Sequence, residues 1–222
     1  MMSRHTKLIR WATAVGLLLG LSANAHAILI PDQVSDAPVP VPFAVDDVST
    51  WQQGVTAGLA GLLGRVDIFY GGNVGPPPQG PPAEVLFFLN LGPPWQTDAN
   101  AFEHTLVFNS GDAPGRVIID VSPANILLQP GDQFVIGLTS ASVGAGVLPS
   151  FTGSLLDDPY SGGQLWLNAN RFLVGASDLD FVTYIEVSMP IPEPAVLALL
   201  LLGLGGVGLL RVAGAPRGVA LA

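Results

Sequence analysis

The chain has 222 residues, a formal net charge of −9 and a mean hydropathy of +0.51, which is high for a single water-soluble domain. It contains no cysteine, which excludes disulfides, a thiol nucleophile, cysteine-ligated zinc and a lipidated N-terminal cysteine. Lys7 is the only lysine, so a domain that begins after residue 27 has no lysine for a phosphate-binding loop or a Schiff base.

Residues 1–27 have the three parts of a secretory signal peptide. Arg4, Lys7 and Arg10 are followed by an uncharged run over residues 11–21, and Ala25 and Ala27 then occupy the minus-three and minus-one positions of a cleavage site. The order predicts a signal helix that the secretion machinery recognises and that signal peptidase removes after Ala27. The alternative is an uncleaved anchor helix, for which the apolar run is short.

The central part of the chain is acidic. Residues 28–190 contain 16 acidic side chains and three arginines, a net charge of −13. Nucleic acid is excluded as a partner, because phosphate binding needs clustered Lys or Arg. Four prolines between residues 31 and 42 predict that residues 28–42 form an extended leader outside the core. The predicted domain then covers residues 43–189.

Within this domain, short apolar segments alternate with turn residues, and no helical stripe interrupts them. The segments with the clearest period of two, or with a continuous apolar run, are residues 65–70, 83–89, 102–109, 116–121, 134–138 and 180–188. The Gly- and Pro-rich stretch 71–82 is predicted to be a hairpin loop. The pattern predicts an all-β fold, an antiparallel β-sandwich that is jelly-roll-like.

The domain has few residues that could act in catalysis. His104 is the one histidine after residue 27, and its alternation with Phe102, Leu106 and Phe108 predicts a packed imidazole rather than the base of a Ser-His-Asp triad. We therefore expect no catalytic residues and no enzymatic activity.

Aspartate pairs in loops suggest one cation site. Asp157 and Asp158, together with Asp178 and Asp180, could present carboxylate oxygens to calcium, which needs six to eight oxygen ligands. The alternative is that these are solvated turn aspartates. Calcium is the only cofactor that the sequence suggests.

Three tryptophans in the domain could offer flat faces to a sugar ring. Trp95 is the best candidate for carbohydrate binding, since Pro93 and Pro94 place it in an exposed loop, whereas Trp51 and Trp166 are also considered. The alternative for all three is packing in the core or at its rim.

The C-terminal segment predicts a membrane span. Residues 195–210 contain no charge and precede Arg211, and a helix over residues 195–214 would nearly cross the hydrocarbon core. A buried core helix is the alternative, but four glycines and the lack of a polar face oppose it. Arg211 and Arg217 would stay on the cytoplasmic side.

Pro192, Glu193 and Pro194, followed by the apolar helix and then Arg211, resemble the PEP-CTERM sorting signal of Gram-negative bacteria, also catalogued as the ice-binding-protein C-terminal domain. The resemblance covers residues 190–222. It implies an inner-membrane intermediate, processing by an exosortase, and delivery to the cell surface or the extracellular space together with exopolysaccharide. The family usually ends in a tight arginine cluster, whereas this chain has Arg211 and then only Arg217.

The sequence as a whole therefore predicts an exported cell-surface or matrix protein associated with exopolysaccharide or biofilm. A carbohydrate-binding module or a glycan-processing enzyme with the same tail is the alternative. A scaffold that assembles from identical copies is a third reading.

Overall fold

The computed structural model describes residues 27–74, 81–96, 99–142, 148–155, 157–172 and 177–188. These residues form strands and one short 310 helix, Ser122–Ala124. In chain order the strands are β1 (Ala27–Ser35), β2 (Val41–Ala44), β3 (Thr50–Thr56), β4 (Gly61–Asn73), β5 (Ala83–Leu91), β6 (Phe102–Phe108), β7 (Gly115–Asp120), β8 (Leu127–Leu128), β9 (Gln133–Ser142), β10 (Pro149–Ser154), β11 (Leu165–Leu167), β12 (Asn170–Arg171), β13 (Asp178–Leu179) and β14 (Phe181–Ser188).

The strands build two antiparallel sheets, which confirms the predicted all-β, sandwich-like fold. The first sheet runs β1-β14-β4-β10-β13, with β7 and β8 also paired to β4 and with β2 paired to β10. The second sheet runs β12-β11-β3-β9-β5-β6. One compact unit extends over Ile28–Val187.

One apolar core draws side chains from both sheets. Alternating residues on β9, namely Phe134, Ile136 and Leu138, are buried as the sequence pattern predicts, and Phe181 and Ile185 of β14 face the same core. The largest side chains with almost no exposed surface are Phe87, Phe134, Phe151, Phe181, Leu63, Ile68, Leu89, Ile136, Leu138, Leu165, Leu179 and Ile185. Burial of this apolar surface is the main stabilising term of the fold.

The prediction that residues 28–42 form a leader outside the core is wrong. Most of this segment is β1, which pairs with β14, and the end of the segment enters β2. Ser35 and Ala37 are buried, and Gln33 N donates to Thr183 Oγ1 at 3.1 Å. Pro31 is tolerated because β1 is an edge strand, where one row of N–H groups needs no partner.

The predicted loop over residues 71–82 also begins too early. β4 continues through Gly72 to Asn73 and pairs there with β10, with Gly72 opposite Ser150. Gly72 has φ +99°, in a region that favours glycine, and the register shifts between Ser150 and Phe151. The glycines therefore belong to an irregular strand end.

A two-residue turn joins β11 to β12. Asn168 and Ala169 have φ +46° and +64°, the positive values at both central positions that a type I′ turn needs. Asn168 anchors this turn to β3 through Thr50 N, which donates to Asn168 Oδ1 at 2.8 Å. The hairpin thus has a fixed position beside β3.

Among the described residues, no helix is long and apolar enough to cross a membrane. The predicted signal helix and the predicted span over residues 195–214 lie outside the described ranges.

Candidate functional site

A groove of about 340 Å³ lies at the second sheet, where it is bounded by strand residues and by the loops around β3. Its volume falls in the range of about 300–1,000 Å³ that is typical of small-molecule sites. We call it the outer groove. Its lining comes from β3, the start of β9, the β5–β6 loop, the β10–β11 loop and the β11–β12 hairpin, namely Gly54, Val55, Thr56, Pro93, Pro94, Gln133, Phe134, Ser161, Gly162, Gly163, Gln164, Trp166 and Arg171.

Strand register brings the aromatic and the cationic side chain of the groove together. Trp166 lies directly opposite Gln52 of β3 and directly opposite Arg171 of β12, so the three side chains share one face of the sheet. The guanidinium carbon of Arg171 is 5.6 Å from the centre of the Trp166 ring, within cation–π range. Trp166 is half-buried and Arg171 is exposed.

The β5–β6 loop forms one wall of the groove. A Cβ added to Gly54 would be 3.1 Å from Pro94 Cγ, so this loop packs closely on the bare backbone of β3. Trp95 N donates to the side-chain oxygen of Gln52 at 3.0 Å, which fixes the loop over the centre of the sheet. Trp95 itself is 38% exposed with φ +61°, and it lies next to the lining prolines without lining the groove.

The β10–β11 loop forms the opposite wall and is fastened to β3. The Tyr160 hydroxyl accepts a hydrogen bond from Thr56 N at 2.8 Å and donates to Thr56 O at 3.0 Å. Thr56 Oγ1 donates to Gly162 O at 2.6 Å, and Gly54 N donates to Gln164 O at 2.9 Å. These bonds hold the wall in one position without a ligand.

Two polar groups in the groove have no hydrogen-bond or ion-pair partner in the part of the chain that the structure describes. Gln164 Nε2 is buried and makes no hydrogen bond to those residues. Arg65 and Arg116 both pair with the carboxylate of Asp67, whereas no ion pair to Arg171 occurs within the described ranges. An unpaired buried donor costs roughly 1–3 kcal/mol, so a ligand oxygen there would recover that energy.

The four predicted calcium ligands do not meet at one point. Asp178 Oδ1 accepts from Gln53 Nε2 at 2.9 Å and faces Asp158, whereas Asp180 Oδ1 accepts from Ala37 N at 2.8 Å. Asp157 is exposed and makes backbone hydrogen bonds to Ser154. No group of three or more His, Cys, Asp or Glu side chains able to hold a metal ion occurs in the part of the chain that the structure describes. The prediction of one four-aspartate site is therefore wrong.

Asp178 has another role, since it links the two sheets. Its carboxylate on β13 accepts from Gln53 of β3, and Leu179 N donates back to the Gln53 side-chain oxygen at 2.9 Å. Burial raises the pKa of Asp178 to about 7, against the lowering effect of hydrogen bonds from Gln53 and Tyr160 N, and the nearby carboxylate of Asp158 raises it further. Burial also raises the pKa of Asp180.

Two other residues that the sequence singled out lie away from the groove. Trp51 is buried in the core, and its Nε1 donates to Ala44 O at 2.8 Å, so its face is not accessible to a sugar. His104 is exposed on the edge strand β6 and stacks near Phe102 with ring centres 6.4 Å apart, so the prediction of a packed imidazole is wrong. The alternation correctly places Leu106 and Phe108 in the core, but His104 lies in the first half of an edge strand, which no other element covers among the described residues.

Of the predicted processing residues, one lies within the described ranges: Ala27 is the first residue of β1. Ala25, Pro192, Glu193, Pro194 and Arg211 lie outside the described residues.

Comparison with models of known protein families gives no match, and comparison with curated proteins gives none either. The site must therefore be interpreted from its own geometry.

Sequence reasoning missed Arg171 and Gln164 and ranked Trp166 below Trp95. Trp166 and Arg171 are five residues apart, and only the turn between them makes them neighbours. The short segment 165–171, with Asn168 at its centre, could have indicated a hairpin. Its turn, Asn168-Ala169, lacks the Asn-Gly pair that marks type I′ hairpins.

Proposed function

We propose that this chain is an exported cell-surface or extracellular-matrix protein without catalytic activity, which an exosortase-type system sorts through its C-terminal tail. The N-terminal segment directs export through the secretion machinery and signal peptidase. The tail holds the protein in the inner membrane of a Gram-negative bacterium until processing near Pro192, Glu193 and Pro194. The product then acts at the surface or outside the cell, together with exopolysaccharide.

One observation carries this proposal. The compact unit begins at Ile28 and ends at Val187, so removal of residues 1–27 and of the tail takes only the first residue of β1 from the sheets and leaves their shared core intact. Both expected cleavage points lie at or beyond the ends of that unit. A domain that must survive two cleavages needs such boundaries.

The proposal is tested by the mature ends of the full chain, expressed in a Gram-negative host that makes an exosortase. Mass spectrometry should find an N-terminus at Ile28 and a C-terminus close to Glu193. Replacement of Pro192, Glu193 and Pro194 by alanine should leave the tail uncut and the protein in the inner-membrane fraction.

Pro216→Ala, on the far side of the apolar segment, is the matched control and should be processed like the natural chain. A mature protein that starts at Met1, or alanine replacements that change neither cleavage nor location, would refute the proposal.

A second candidate function, carbohydrate binding by the mature domain, is favoured by the outer groove with its half-exposed tryptophan and unsatisfied amide. We propose in addition that the sandwich is a jelly roll. Its longer strands follow the orders β1-β14-β4-β7 and β3-β9-β5-β6, and the chain crosses between the sheets in the sequence that two Greek keys require. Jelly rolls include lectin domains.

Titration of the domain with a panel of glycans tests this second function. Trp166→Ala should abolish binding, and Trp95→Ala should weaken it, because Trp95 belongs to the rim. Glycan binding that both variants retain would place the ligand elsewhere on the molecule.

A further inference from the structure

The outer groove combines an aromatic face, a buried amide donor and one cation. From this combination we infer that it takes a carboxylate-bearing saccharide, a uronic acid unit of an acidic polysaccharide, with Arg171 bound to the carboxylate. The inference rests on the proposed carbohydrate-binding function and names its ligand class.

Charge is the first argument. The residues from 28 to 190 carry a net charge of −13, and two of their three arginines form ion pairs with Asp67. Arg171 is the one whose charge is not paired within the described ranges, and it lies in the groove. A neutral sugar would leave that charge unused, whereas a carboxylate can accept two parallel hydrogen bonds from a guanidinium.

Position is the second argument. Because Trp166 and Arg171 are a directly opposed cross-strand pair, the guanidinium is held over the indole ring, 5.6 Å from its centre. A saccharide that contacts the exposed part of the indole would therefore meet the guanidinium as well. The contact with Trp166 also limits the freedom that Arg171 loses on binding.

The buried amide is the third argument. Gln164 lines the same groove, and its buried Nε2 has no hydrogen-bond partner among the described residues, so we expect a hydroxyl or ring oxygen of the same saccharide unit to accept from it when the ligand binds. The groove then contacts the apolar face, a neutral oxygen and the carboxylate of one sugar. Simple anions would satisfy only Arg171, and neutral sugars only Trp166 and Gln164.

Calorimetric titration of the processed protein tests the inference. The probes are galacturonate trisaccharide, the matched neutral galactose trisaccharide and sodium acetate. The galacturonate should bind at least about tenfold more tightly than the neutral sugar, since charge-assisted hydrogen bonds are roughly twice as strong as neutral ones. Acetate should bind too weakly to compete.

Arg171→Gln should remove the preference for galacturonate, so that the charged and the neutral trisaccharide bind with about equal affinity. Arg171→Lys should recover only part of the preference, because an ammonium lacks the planar fork. Glu84→Gln is the matched control: it also changes one exposed charge and lies outside the groove lining. Unchanged melting temperatures would show that the variants are folded.

The outcomes separate this inference from the function on which it rests. Equal affinity for charged and neutral sugars, lost in Trp166→Ala, would refute the acidic ligand and retain carbohydrate binding. Acetate binding as strong as that of galacturonate would reduce the site to an anion site. No binding to any saccharide would refute both proposals.

Discussion

Asp178 is the residue whose charge state affects the fold most directly. Its pKa is raised from an ordinary value of 3.8 to about 7, so the folded state binds its proton more tightly than the unfolded state does. The stability from this proton is fully present below about pH 4 and is lost as the pH rises through about 7. We expect the free energy of unfolding to fall between these two pH values, and Asp180 acts in the same direction.

Asp178→Asn should reduce this pH dependence and stabilise the domain at pH 8, because the buried charge is gone while Gln53 keeps an acceptor. Urea denaturation at a series of pH values measures both effects. Asp157→Asn is the control, since it removes an exposed carboxylate in the β10–β11 loop. An Asp178→Asn slope equal to that of the natural protein would contradict the assignment.

Asp67 shows what a strand pattern cannot reveal. Alternation along β4 predicts that Asp67 points outward, and it does face away from the core, yet it has no exposed surface. Arg65 and Arg116 cover it, and both guanidiniums also contact Tyr184, with Arg65 Cζ 3.8 Å from the ring centre and Arg116 Nη2 donating to the hydroxyl at 2.5 Å. Arg116 is 49 residues away in the sequence, so only the β4–β7 register could identify the cluster.

This cluster predicts an order of stabilities. Replacing both Arg65 and Arg116 by glutamine leaves a buried carboxylate without a cation, which should cost about 3–5 kcal/mol. Asp67→Asn should cost less, because the two arginines are partly exposed and can return to water. Chemical denaturation measures both variants, and a larger loss for Asp67→Asn than for the double variant would be inconsistent with this order.

At the scale of elements, the sandwich was predictable because apolar and polar residues alternate along a strand that has one buried face. β9 and β14 show this most clearly. β1 was not recognised, since proline marks the lack of a donor but does not show whether the strand is an edge of a sheet. The groove was not predictable either, because its two walls are loops whose positions depend on contacts with β3.

Gly163 in the β10–β11 loop allows one wall of the groove to be tested. A Cβ there would lie 1.7 Å from Gly54 O, a backbone atom that cannot move without displacing β3. Gly163→Ala should therefore destabilise the domain by about 1–3 kcal/mol and weaken saccharide binding. Gly111→Ala is the matched control, since a Cβ at Gly111 meets nothing within 4 Å. Thermal denaturation of the two variants gives the comparison, and equal melting temperatures would argue against the close approach.

At the scale of the whole molecule, the open edges of the two sheets decide whether copies assemble. Among the described strands, β6 pairs only with β5, and β7 pairs only with β4. A depression of about 320 Å³ lies between these two edges, lined in part by Leu106, Phe108 and Val117. The unpaired N–H and C=O groups of an edge strand can pair with a strand of another copy, so these edges could support an assembled scaffold.

The net charge of the domain opposes such edge-to-edge association. Two copies with a net charge of −13 between residues 28 and 190 repel each other, and β6 and β7 themselves carry Glu103, Arg116 and Asp120. We expect the processed protein to be a monomer by multi-angle light scattering at about 0.05 M salt, where the repulsion between charges extends over more than about 10 Å before it is screened. Association that appears only near 1 M salt would show that repulsion protects the edges. Stable oligomers at low salt would contradict the prediction and would favour a scaffold built from identical copies.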